Sequence, residues 1–163
     1  MIGNKCAKIP SWMKNALNFN SRIVGGSEAE SPIPWQVRWN DCGGTILDEY
    51  TILTAAHCGT NINRRVLAGA ISLQNGFPHD PPVQLIHVKE VIWHQKYNET
   101  TWDYDYSILK LRDPLTFNSN VKPACLPKSE NFDAGHSALA SGWGSKNHCM
   151  YIFDIFASSK FSI

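Results

Sequence analysis

The sequence predicts an all-β protein, a small barrel or sandwich. Three observations carry this reading. Short runs of β-branched, aromatic and aliphatic residues recur along the chain, separated by turn residues. No stretch shows the apolar spacing of an amphipathic helix. The longest patterned run, Val83 to His94, alternates β-branched and polar residues, as a strand with one buried face does.

Taken in order, residues 1–22 are polar and without periodicity, a leader with no core of its own. Met1 to Pro10 lacks the apolar centre of a signal peptide. Pro32 and Pro34 punctuate the chain before the first strand candidate, Trp35-Gln36-Val37-Arg38-Trp39. Cys42-Gly43-Gly44 precedes the second, Thr45-Ile46-Leu47, and a turn at Asp48-Glu49 leads to the third, Tyr50 to Thr54. Arg65 to Ala68 is a fourth, and Asn75 to Pro82 is a Gly/Pro loop. Val83 to His94 and Ser107 to Leu111 follow. A last strand candidate spans Ser137 to Trp143, and its outer edge is expected to be unpaired.

Composition narrows the function classes. The 163 residues are 43% hydrophobic and 18% charged, which is globular and not disordered. The formal net charge is +1 and no Lys/Arg run is long enough to form a basic patch, which argues weakly against nucleic acid as a partner. No apolar stretch approaches the ~20 residues of a membrane-spanning helix. The five cysteines, Cys6, Cys42, Cys58, Cys125 and Cys149, form no CxxC pair and no Cys/His cluster of zinc spacing, so no metal is expected. They read as disulfides of an oxidising compartment with one thiol left over. Asn98-Glu99-Thr100 is an N-glycosylation sequon.

Three motifs carry chemistry. Arg22-Ile23-Val24-Gly25-Gly26 holds an Arg-Ile bond whose cleavage would free an α-amino group on Ile23, although the same residues suit any strand-to-turn transition. Thr54-Ala55-Ala56-His57-Cys58 places a histidine among small residues beside a cysteine, with Cys42 upstream as a possible tether for the His-bearing turn. Asp103-Tyr104-Asp105-Tyr106 offers two carboxylates before an apolar strand, either of them an ordinary turn residue on its own.

Together these motifs resemble the chymotrypsin/trypsin family of serine endopeptidases, whose triad runs His, Asp, Ser along the chain. Pro34-Trp35-Gln36-Val37, Val121-Lys122-Pro123-Ala124-Cys125-Leu126-Pro127 and Gly142-Trp143-Gly144 extend the resemblance, which is continuous over 22–144. It implies the N-terminal Greek-key barrel of the two-barrel trypsin-like fold at about 23–120, a connector at about 121–135, and one strand of a second barrel that is largely missing. Residues 1–22 would be a propeptide, cut after Arg22 by an activating protease, and 145–163 an unrelated tail. His57 would be the general base and Asp105, not Asp103, its partner, with Thr54 supporting the Asp. Cys42 would pair with Cys58, and Cys6 with Cys125, leaving Cys149 free.

The sequence departs from the family in one decisive respect: no serine lies in a Gly-Asp-Ser-Gly-Gly-Pro segment. The nucleophile, oxyanion hole and specificity pocket that this segment supplies are absent from these residues. Ala138 stands where many relatives have a cysteine. The loop from Ala70 to Pro82 has no Glu and only Asp80, too few oxygen ligands for calcium. The expectation is a secreted trypsin-like endopeptidase by family, acting on protein or peptide without a cofactor, and inactive over the residues given. The alternative is a noncatalytic secreted binding module built on the first barrel.

Overall fold

The computed structural model describes residues 6–7, 27–74, 77–78, 83–127, 139–143 and 155–159. Six strands close into a barrel: β2 (Gln36–Trp39), β3 (Cys42–Asp48), β4 (Thr51–Thr54), β5 (Arg65–Ala68), β8 (Gln84–Trp93) and β9 (Ser107–Leu111). Around the barrel they run β2-β3-β4-β9-β8-β5, with β5 returning to pair with β2 and every neighbour antiparallel. Three strands joined by short turns, with the fourth returning beside the first, make a Greek key. Closure leaves no barrel strand with an open edge.

Strand alternation supplies the core. In β9, Ser107, Leu109 and Leu111 face inward while Ile108 and Lys110 are half-buried. Val37, Trp39, Ile46, Ile52, Val66 and Val88 join Leu109 and Leu111 in one cluster, capped by Leu115 and Val121. Burying such a side chain stabilises the fold by roughly 1.5–3 kcal/mol each. β3 is longer than the run Thr45–Leu47 suggests, because Gly43 and Gly44 continue the ladder opposite Arg38 and Val37. Glycine is needed at 44: a Cβ there would lie 2.9 Å from Ile52 Cγ2, 3.0 Å from Val37 Cγ2 and 3.1 Å from the Leu53 carbonyl. β3 and β8 each carry a register shift, at Ile46/Asp48 and Val88/Glu90, the kind of irregularity that increases strand bend.

Outside the barrel, β1 (Ser27–Glu28), β10 (Leu139–Trp143) and β11 (Ile155–Ser159) form a three-stranded sheet in the order β1-β11-β10. The edge of β10 expected to be open is therefore covered: Leu139 to Trp143 pair antiparallel with Ser159 to Ile155. Backbone pairing needs a strand of matching length and no particular side-chain motif, so composition alone did not reveal it. β10 is tied to the barrel by Ser141 Oγ, which donates to Gln36 Oε1 at 2.9 Å, and by Trp143 Nε1, which donates to the Ile71 carbonyl at 2.9 Å. β6 (Leu73–Gln74) and β7 (Phe77–Pro78) form a separate two-stranded ribbon.

Segment 121–125 runs along the barrel wall, with Lys122 N–H donating to the Pro34 carbonyl and Ala124 N–H to the Ile46 carbonyl. Cys6 is bonded to Cys125, with Cα atoms 4.9 Å apart, and Ala7 N–H donates to the Pro123 carbonyl at 2.8 Å.

Candidate active site

The site lies at one end of β4 and β9. β4 ends at Thr54, and a short 3₁₀ turn, Ala56–Cys58, carries His57 away from the strand. Gly59, at φ 96°, ends that turn in a conformation glycine adopts without steric cost. β9 begins at Ser107, two residues after Asp105, and pairs with β4 so that Thr54 faces Ser107 across the ladder. The register of two neighbouring strands thus brings together residues 48 positions apart.

Asp105 grips His57 with both oxygens. Its Oδ2 lies 2.6 Å from His57 Nδ1, and its Oδ1 accepts the backbone N–H of His57 at 2.8 Å. The imidazole is 39% exposed and the carboxylate 20%, so the pair sits at the surface. Partial desolvation pushes the Asp105 carboxyl up. The hydrogen bonds from the His57 backbone and ring, the His57 charge and the Ala56 N–H together outweigh it and hold the carboxyl below its ordinary value. Asp103 does not compete: its Oδ2 accepts from Thr101 Oγ1 at 2.7 Å.

The turn is fixed from three further directions. Cys58 is disulfide-bonded to Cys42, with Cα atoms 6.0 Å apart. Asn40 Nδ2 donates to the Cys58 carbonyl at 3.0 Å, and the buried Ser107 Oγ donates to the Ala55 carbonyl at 3.1 Å. The resemblance gave Thr54 a role in supporting Asp105; among the described residues its hydroxyl makes its hydrogen bond elsewhere. Its Oγ1 donates to the Gly43 carbonyl at 2.8 Å, on the strand paired with β4. The same hydroxyl lies 3.7 Å from Cys58 Sγ, so it touches the turn that carries His57.

The ligand-type atoms of Cys42, His57 and Cys58 lie within 4.8 Å of one another, but the two sulfurs are bonded to each other. A disulfide offers no thiolate, so this cluster is not a metal centre as it stands. Of the other residues singled out from sequence, Asn98 is exposed on the loop between β8 and β9. Arg22, Ile23, Cys149 and Asp80 lie outside the described residues.

Two features of the site were not singled out from the sequence, one without a local signal and one with. The Trp102 ring packs against His57 with centroids 4.7 Å apart and planes tilted by 40°. Trp102 adopts φ 62°, a left-handed conformation that a bulky residue rarely takes, so nothing in the sequence marks it. Asn40, at φ 53°, turns the chain between β2 and β3; an Asn-Asp pair between two strand-like runs is a legible signal for that turn.

A family model described as Trypsin matches residues 23–157. The chain belongs to the trypsin family. Trypsin 5G1 from Aedes aegypti is 37% identical over 146 residues, covering 83% of this chain and 52% of that protein. The chain therefore spans about half the length of the curated trypsin it matches. The family model continues past residue 144 into β11, whose residues 155–157 pair with β10 and, through Phe156 and Ala157, with β1. The two disulfides and the closed barrel accord with this membership, and such bridges are typical of oxidising compartments.

Proposed function

We propose that the chain carries the His–Asp half of a secreted trypsin-like serine endopeptidase. The observation that supports this best is the two-point hold of Asp105 on His57. A carboxylate at Nδ1 keeps the proton on that nitrogen, so the lone pair is on Nε2. Nε2 has no oxygen or nitrogen partner among the described residues; its near neighbours are the disulfide sulfurs, at 3.8 and 3.9 Å. It is thus available to take a proton from an attacking hydroxyl and later return it to the leaving amine. The imidazolium formed in between is stabilised by the Asp105 charge, which stays ionised because its carboxyl is held low.

The hydroxyl that His57 would activate is not within these residues, since the sequence has no Gly-Asp-Ser-Gly-Gly-Pro segment. The chain by itself is therefore inactive. Cleavage after Arg22 by an activating protease would leave the N-terminal piece attached through Cys6–Cys125. Substrates are peptide bonds of proteins or peptides, by family.

A second reading is favoured by one observation: the barrel closes using this chain's own six strands. It would then serve as a noncatalytic binding module. A fluorophosphonate probe separates the readings. After nicking at Arg22, the chain alone should not be labelled. The chain joined to a trypsin-family C-terminal half should be labelled, and His57→Ala should abolish labelling. Stoichiometric labelling of the chain alone would overturn the proposal, and a folded but unreactive joined form would favour the binding module.

A further inference from the structure

The loop that presents Trp102 to His57 is organised by the sequon asparagine. Asn98 Oδ1 accepts the backbone N–H of Thr100 at 2.8 Å and of Thr101 at 3.2 Å. Its own N–H donates to the Asp103 carbonyl at 3.1 Å, and its carbonyl accepts the N–H of Trp102 at 2.8 Å. These bonds hold a segment in which Trp102 and Tyr104 both have positive φ, at 62° and 54°, a backbone that neither residue adopts without support. Both partners of the side-chain amide are N–H donors, so the atom facing them must be the oxygen. The amide nitrogen is then the atom that the turn does not engage. It has no hydrogen bond among the described residues, and Asn98, Glu99 and Thr100 are all exposed.

We propose that Asn98 carries an N-linked glycan, and that this glycan shades Trp102 and the Trp102 side of His57. The inference rests on the secretory reading above but not on peptidase activity. In the modification, Nδ2 loses a proton and bonds to the first sugar carbon of a lipid-diphosphate-linked oligosaccharide. The sugar–oxygen bond breaks, and the lipid diphosphate leaves with the electron pair. The Asx turn survives, because its hydrogen bonds use Oδ1 and not the modified nitrogen. The glycan is a bulky hydrophilic group. It would stand on the same loop as Trp102, a residue that is 56% exposed and packs its ring against the imidazole. A large substrate reaching His57 from this side would meet the glycan, whereas a small ester would pass it.

The test uses the full 163-residue chain, expressed behind a secretion signal in a eukaryotic host. The wild type and Thr100→Ser should shift in mobility on treatment with peptide N-glycosidase, and Thr100→Ala should not. Thr100→Ala removes the sequon but keeps the backbone N–H that Asn98 holds, so the loop should stay intact. Oxidation of Trp102 by N-bromosuccinimide and carbethoxylation of His57 are then read peptide by peptide. Both should be slower in the glycan-bearing form than after enzymatic removal or in Thr100→Ala. Trp39, fully buried, reports folding; if it reacts, the footprint is read in the chain joined to a family C-terminal half. A wild type with no glycan at Asn98 overturns the proposal. So does an occupied site at which Trp102 and His57 react equally fast with and without the glycan.

Discussion

Replacing Cys42 and Cys58 together with alanine should destabilise the chain by about 3 kcal/mol, the value the chain-entropy model assigns to a loop of this size. The bridge joins residues at a sequence separation of 16. Little of the loss should come from the folded state. Cys58 packs only partly against the core. The His57 turn keeps the Asn40 bond to the Cys58 carbonyl, the Ser107 bond to the Ala55 carbonyl and the hold of Asp105 on the His57 N–H. Alanine avoids leaving an unpaired hydroxyl where each sulfur was. For a chain of this length, about 3 kcal/mol corresponds to a fall of roughly 6–12 °C in Tm. Thermal and urea unfolding followed by tryptophan fluorescence would measure it. Because the effect acts on the unfolded chain, the urea m value should rise as that ensemble expands. The proton shared by His57 Nδ1 and Asp105 should persist in the NMR spectrum of the folded variant. A Tm change under about 2 °C with an unchanged m value would refute the loop-entropy reasoning. Loss of the shared proton in a still-folded variant would show that the bridge, and not Asp105, positions the imidazole.

Three further outcomes can be checked on the same chain. Asp105 has a lowered folded-state carboxyl, so its stabilising effect is present above the ordinary carboxylate value of about 4 and is lost as pH falls through the lower folded value; the stability gap between wild type and Asp105→Asn should close on acidification, and a gap constant from neutral pH down to acid unfolding would contradict this. Thr54→Val should cost about 0.5–1.5 kcal/mol for the lost bond to Gly43 while leaving the Asp105 titration by NMR where it was; a raised Asp105 value would restore Thr54 as its direct support. Gly44→Ala should destabilise by about 1–3 kcal/mol through contact with Ile52, Val37 and the Leu53 carbonyl, and a neutral result in urea melts would mean that β3 and β4 shift apart freely.

Much of the barrel was legible because its strands obey a local rule. The strand candidates Arg65–Ala68 and Ser107–Leu111 appear in the structure with the same bounds, and Val83–His94 differs by one residue at each end. β1, β6, β7 and β11 left no such trace: three of them are two-residue bridges, and the fourth forms only against β10 and β1. Strands of that kind are made by their partner, so their own residues need carry no pattern.

The site divides along the same line. Sequence by itself determined which residues could do chemistry, through the order of the His57 and Asp105 motifs and the Cys42, Cys58, Cys6 and Cys125 set. It also determined the absence of a serine nucleophile segment within these residues. Tertiary structure alone decided how those groups act. The β4–β9 register puts both Asp105 oxygens on His57. The pairing of β3 with β4 brings the Gly43 carbonyl within reach of the Thr54 hydroxyl. A left-handed Trp102, held through Asn98, lays an indole over the imidazole. The physical reason is common to all three: each contact joins groups whose approach is set by pairing and backbone dihedrals elsewhere in the fold, and residue identity names the groups without giving their directions.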